Sequence, residues 1–187
     1  MKISRSFRAA CALVALSLLA ACVSAPAPAP RPAPKPAPPA PPPPAPEPVA
    51  KDWRDWPVAA GDWSYRAASN GSIASFGQPG QPPLLSFRCD RTTRRISVAR
   101  ATPLPPDRIN GQMIVRTSFG AAQWPVAAAA QGGADSAYAV ALRAGNDATF
   151  DQIAFSRGRF VIEAPGALPL AVPNWAEVSR VIEDCRG

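Results

Sequence analysis

The chain has 187 residues, a formal charge of +7, 25 prolines, four cysteines and no histidine. Fourteen of the prolines lie between positions 26 and 48, and from Lys51 onward 15 basic groups face 12 acidic ones, a net of +3. That balance is too mild and too dispersed for a nucleic-acid track, which requires a clustered basic face. The lack of histidine removes Ser-His-Asp and Cys-His catalysis together with histidine-based metal sites.

At the amino terminus, Lys2, Arg5 and Arg8 precede an apolar run over residues 9–21. A short positive region followed by a short apolar one is the pattern of a secretory signal. The run is shorter than the ~20 residues that cross ~30 Å of hydrocarbon, so a permanent transmembrane helix is not expected. It ends Leu19-Ala20-Ala21-Cys22. An ordinary signal peptide cut at an Ala-x-Ala-like site is one reading of that end. The tetrapeptide also resembles the lipobox of bacterial lipoproteins. The resemblance implies cleavage before Cys22 and acylation of Cys22 with fatty acids such as palmitate, at least two chains and so enough for stable membrane anchoring. In such lipoproteins an aspartate after the cysteine accompanies inner-membrane retention. Val23 stands there, and the resemblance therefore implies an outer-membrane anchor facing the periplasm.

Residues 22–50 carry the cysteine and an Ala-Pro alternation that reaches Pro41-Pro42-Pro43-Pro44. Proline fixes φ and removes an amide donor, so neither helix nor sheet is available, and polyproline II or disorder is expected. Fully extended at ~3.1 Å per residue, such a spacer reaches ~80 Å. A PxxP ligand for a recognition domain is the alternative.

Residues 51–187 are long enough for one domain with its own core. Trp63 and Tyr65 alternate with polar neighbours, and Leu85, Phe87 and Cys89 share a face. After the turn residues Asp90-Arg91-Thr92-Thr93, Ile96 and Val98 share another. Met113, Val115 and Thr117 follow, then Tyr138, Val140 and Leu142, then Phe160 and Ile162, and, beyond Pro165-Gly166-Ala167, Leu170 and Val172. Short period-two runs between Gly, Pro and Asn predict a mainly β (α+β) domain, an antiparallel sheet or sandwich. Residues 123–134, alanine-rich with Pro125 and Gly132-Gly133, read as a loop.

Two helices are expected. One is short, over 147–155, with Phe150, Ile153 and Ala154 on one side. The other, over 174–184, has Asn174 as a cap with Glu177 reaching back to it, and a stripe of Trp175, Val178, Ile182 and Cys185 facing the core.

With Cys11 lost in the signal and Cys22 acylated, Cys89 and Cys185 remain for an oxidising compartment, and a disulfide is expected. Redox chemistry needs Cys-x-x-Cys or an activated thiolate and zinc needs four ligands, so neither is expected, and no cofactor is. Carboxylates are the one catalytic resource: Asp62, Asp90, Asp135, Asp147, Asp151, Glu163, Glu177, Glu183 and Asp184. Most fall at turns or helix ends, where capping and solvation account for them.

Arg91, Arg94 and Arg95 cluster on the expected hairpin turn, flanked by Arg88 and Arg100. Guanidinium forks there suit phosphate or carboxylate on lipid or glycan. A charged edge that guards against aggregation is the plainer reading, as is arginine-rich composition, since arginine outnumbers lysine 14 to 1 from residue 51. Trp53, Trp56 and Trp63 open the domain either as sugar-stacking faces or, more simply, as anchors for the incoming chain.

Near the carboxyl terminus, Phe155-Ser156-Arg157-Gly158, a run over 160–163, Leu170 to Pro173 and a final element over 175–185 follow one another. This order loosely resembles the invasion-associated locus B family of exported β-rich proteins, and implies an exported binding fold without established catalysis. The expected function is a non-catalytic envelope module, tethered to the membrane at Cys22, that binds an envelope protein or glycan and no nucleic acid. A carboxylate-dependent hydrolase or lyase acting on cell-wall glycan is the alternative.

Overall fold

Two antiparallel sheets face each other in the computed structural model, which describes residues 51–130 and 137–187. The signal-like segment, Cys22, the Ala/Pro spacer and Asp135 lie outside the described residues. The larger sheet has the order β1–β2–β3–β4–β8–β7, formed by β1 (Asp62–Ala68), β2 (Gly71–Gly77), β3 (Leu85–Asp90), β4 (Arg95–Thr102), β7 (Ala127–Ala130) and β8 (Ala137–Ala144). The smaller has the order β10–β9–β5–β6, from β5 (Gln112–Thr117), β6 (Gly120–Pro125), β9 (Arg159–Glu163) and β10 (Leu170–Pro173). Helices α1 (Ala148–Ala154) and α2 (Ala176–Arg186) complete the α+β sandwich expected from the period-two runs.

The register explains the core. Trp63 lies opposite Phe76, Phe76 opposite Leu85, Phe87 opposite Val98, and Val98 opposite Ala141. Because successive side chains alternate faces, these residues line one inner surface. The smaller sheet covers part of it with Met113, Val115, Phe160, Ile162, Leu170 and Val172. Trp63 stands between the layers, its ring centroid 5.3 Å from that of Phe76 and 6.3 Å from that of Phe160, and its Nε1–H donates to the Pro173 carbonyl at 2.9 Å. Helix α2 packs across β1–β4 and buries Val178, Val181, Ile182 and Cys185.

Several sequence expectations are corrected. Within the expected loop, residues 123–125 and 127–130 are strand, and residues 131–134 lie outside the described residues. The end of β6 and all of β7 belong to edge strands, where Ala127 and Ala128 stand exposed and Pro125 can sit at a strand end without breaking a central ladder. The strand β2 has no counterpart in the sequence reading, although Asn70-Gly71 is a strong hairpin signal between alternating runs. Its glycine, serine and alanine content hides the alternation, yet Ala74 and Phe76 are wholly buried. In β8 the core face belongs to Ala137, Ala139 and Ala141, not to Tyr138, Val140 and Leu142. Leu142 is half exposed, and Tyr138 is buried on the opposite face, its hydroxyl donating to the Pro83 carbonyl.

The terminal helix also departs from expectation at its start. Trp175, with extended φ and ψ, is the residue before the first turn, so it lies outside the helical cycle and is 43% exposed, while Val181 takes a place in the stripe. Asn174 does not cap α2. Its Nδ2–H groups donate to the carbonyls of Ala154 and Ser156, at 2.8 and 2.9 Å, and so satisfy acceptors left over at the end of α1. The short helix forms where expected, and Asp147 caps it by accepting from the Thr149 amide at 2.9 Å.

The face reversal in β8 makes a direct prediction. Ala141→Leu should overpack the core and cost about 1–3 kcal/mol. Leu142→Ser, one residue along, should change stability by under about 0.5 kcal/mol. Urea denaturation of both variants would reverse that order if the larger residue faced the core.

Candidate functional site

The β3–β4 turn brings the predicted arginines to one end of the larger sheet and roots them firmly. Asp90 Oδ1 accepts from the Thr92 amide and from Asn70 Nδ2, each at 2.9 Å, and Thr92 Oγ1 donates to Asn70 Oδ1 at 3.0 Å. The Arg91 amide donates to the Asn70 carbonyl at 3.1 Å. An aspartate that bonds the amide two residues on closes a turn in the manner of a backbone group, and here it also ties the β3–β4 turn to the β1–β2 turn. Close approach of the two turns requires Gly71: at φ 150°, a Cβ there would meet the Cys89 carbonyl oxygen at 2.1 Å.

Arg91, Arg94 and Arg95 are all exposed on this turn. Arg94 adopts φ 51°, and its carbonyl accepts from the Gly145 amide at 2.8 Å, which binds the turn to the segment before α1. Arg88 is exposed on the outer face of β3, opposite Ser97. Arg100 does not belong to the cluster. It sits on the inner face of β4, opposite Leu85 and Ala139, and is 8% exposed. Five residues along a strand lead from the turn to the far part of the sheet, so sequence proximity there does not make a patch.

Cys89 and Cys185 lie at disulfide distance with Cα atoms 5.4 Å apart, fastening the last turn of α2 to the base of the arginine turn. Around it the helix is held by polar pairs. Arg186 donates to Asp151 at 2.7 Å and to the Gly145 carbonyl at 2.9 Å, and the Tyr65 hydroxyl donates to Asp184 at 2.7 Å. Arg180 stacks over the Tyr65 ring at 4.0 Å. Burial works against ionisation of Asp184, but the Tyr65 hydroxyl and the charges of Arg91 and Arg180 outweigh it, and the carboxyl is held below its ordinary value of 3.8. A cavity of about 570 Å³ opens beside the disulfide, lined in part by Thr93, Arg94, Asn146, Asp151 and Arg186.

Four of the described carboxylates are each engaged in a separate local role. Asp90 serves the turn, Asp147 caps α1 and pairs with Arg143 at 2.6 Å, Asp151 pairs with Arg186, and Glu163 pairs with Arg116 across β5 and β9. No group of three or more acids, cysteines or histidines suited to a metal occurs among the described residues. Trp63 is an anchor in the core, and Trp53 and Trp56 are half-buried. The Trp56 carbonyl accepts from Arg159 at 2.6 Å, and the Ala59 amide donates to Ala171, so this segment crosses onto β10. Sequence reasoning missed a second surface. Ser118, Ser156 and Asn174 knit together three loops that carry Phe119, Phe155 and Trp175 outward, with Phe155 70% exposed. Phe119 and Phe155 flank a turn and a helix end, where no periodic pattern marks them, and Trp175 was expected on the core stripe of the last helix rather than outside it.

Two stability predictions follow from this end of the molecule. Replacing Cys89 and Cys185 by serine opens a link between residues 96 apart and should cost about 2–4 kcal/mol by denaturant unfolding, of the same order as chain-entropy expectations. Equal midpoints for the two proteins would show that the link adds nothing. Because the Asp184 carboxyl is depressed in the folded state, its contribution is present above the unfolded value and is lost as pH falls through the folded one. Asp184→Asn should therefore lower Tm at neutral pH and converge with the parent protein in acid below the usual aspartate range. A difference between the two that is constant with pH would contradict this.

No protein-family model matches the chain, and no curated protein and no solved structure matches it significantly.

Proposed function

We propose that this protein is a lipid-anchored module of the bacterial envelope that binds an anionic group on a protein or glycan partner and carries out no reaction of its own. The observation that supports it most is the fixed arginine turn. Arg91, Arg94 and Arg95 stand exposed on a turn locked at its root by Asp90, Asn70 and the cysteine pair. Cationic groups on a rigid base lose less freedom on binding than groups on a loose loop. In the same reading, Cys22 carries the fatty acyl chains, the Ala/Pro spacer holds the domain off an outer membrane, and the domain stands with exported β-rich proteins such as the invasion-associated locus B family.

The carboxylate hydrolase fits less well. A glycosidase needs one carboxyl kept protonated by a raised pKa beside a second that stays ionised. Among the described residues the carboxyls with a clear displacement are Asp52, Asp90, Asp147 and Asp184, and all four are displaced downward.

Crosslinking in intact cells, followed by identification of captured molecules, tests the binding reading. Arg91→Ala/Arg94→Ala/Arg95→Ala should lose most of the capture while folding normally, and unchanged capture would reduce the turn to a solvated edge. Palmitate should label the wild type and not Cys22→Ala, which should leave the membrane fraction. Hydrolysis of cell-wall glycan by the purified chain, abolished by one Asp or Glu substitution, would establish the enzyme instead.

A further inference from the structure

Arg100 is the one buried charged residue among the described residues, and no described carboxylate lies within ion-pair distance of it. Its Nη1 donates to the carbonyls of Leu84 and Ala101, at 3.1 and 2.9 Å, and its Nη2 donates to that of Leu168 at 3.2 Å. A guanidinium has five N–H groups, so one Nη2–H is left over, and Nε–H is buried with no acceptor. Carbonyl dipoles accept hydrogen bonds but carry no countercharge, and an unpaired buried ion is costly to keep. Burial alone already pushes the Arg100 guanidinium toward its neutral form.

Arg100 also lines an open cavity of about 390 Å³ between β4, the start of β8 and the β9–β10 turn. Its other walls are mostly apolar, from Leu84, Ala101, Pro103, Ala137 and Leu168. The hydroxyl of Thr102 is already engaged, donating to the Pro165 carbonyl at 2.8 Å and accepting from the Leu104 amide. The β9–β10 turn is positioned closely against this end: Gly166, at φ 71°, faces Leu104, and a Cβ there would meet Leu104 Cγ at 2.2 Å. One guanidinium without a countercharge, set in a mostly apolar wall, selects for a single negative charge on a compact apolar body. Inorganic phosphate, more highly charged and without apolar surface, matches it poorly.

We propose that this cavity binds a small monocarboxylate with a compact apolar body, its carboxylate facing the guanidinium of Arg100 and accepting from the free Nη2–H. The site is separate from the arginine turn and does not depend on where the protein resides. Carboxylates of this kind come from short fatty acids or from the carboxyl terminus of a peptide.

The test uses the full-length chain labelled with ¹⁵N and follows the Arg100 Nε–H resonance, identified by its loss in Arg100→Lys. Butyrate represents the fatty acid, N-acetylalanine the peptide terminus, and N-acetylalaninamide the same body without charge. At least one carboxylate should move the resonance in a saturable way with a Kd of about 1 mM or tighter, and the stronger of the two names the source. The amide should leave it in place. Leu168→Asp puts a negative charge at the cavity from a side chain that is 82% exposed, and keeps the backbone carbonyl that holds Arg100. It should weaken carboxylate binding about tenfold. The proposal is overturned if neither carboxylate moves the resonance, if the amide moves it equally, or if phosphate binds more tightly than both. It is overturned equally if Leu168→Asp binds like the parent, or if Asp135→Asn alone displaces the resonance, since the chain would then supply its own anion.

Discussion

The inner face of the larger sheet is one apolar surface that water must not reach, and the rest of the domain is arranged to cover it. Trp63, Phe76, Leu85, Phe87, Ile96 and Val98 share that face, and each fully buried large apolar side chain contributes about 1.5–3 kcal/mol. No single cover reaches all of it. The smaller sheet closes one part through Phe160 and Ile162, and α2 closes another through Val178, Val181 and Ile182. Trp63 joins the two layers, giving its rings to both sheets and its indole proton to Pro173.

Covering a sheet with a short helix leaves the helix prone to drift, and polar links at the disulfide end limit this. The Cys89–Cys185 pair fastens the last turn, while Asp184 and Arg186 bond to β1 and to the segment before α1. Beside these anchors, Asn70, Asp90 and Thr92 tie the two hairpin turns to each other. Rigidity at this end is thus a by-product of holding the helix down, and the arginine turn inherits it.

Charge is distributed according to depth. Most arginines stand at the surface or against a carboxylate, as Arg116 does with Glu163 and Arg143 with Asp147. Arg100 stands apart because the alternation of β4 sends it inward with Ile96 and Val98. It holds the Leu84 and Leu168 segments together through their carbonyls, a structural service that three dipoles can provide without matching its charge.

Much of the architecture was legible in the sequence because strand alternation and turn composition are local. The faces of β3, β4, β5, β9 and β10, the turn at Pro165-Gly166-Ala167 and the short helix near 147–155 follow from spacing and residue type, and the pairing of Cys89 with Cys185 from their being the two cysteines left to the domain. Where the code was weak, tertiary packing decided. In β8 alanines rather than larger residues face inward, because Ala141 must fit against Val98 and the opposing layer, and period-two reasoning alone favours the bulkier face. Asn174 and Trp175 had the spacing of a helix start, but the end of α1, twenty residues away in sequence for Asn174 and Ala154, claimed the amide. The arginines divide the same way: local turn chemistry exposes Arg91, Arg94 and Arg95, whereas the burial of Arg100 depends on Leu84 and on Leu168, a partner 68 residues distant. Periodicity determines which residues can share a face. Which face meets water depends on the elements packed against it, and those are brought there by the whole chain.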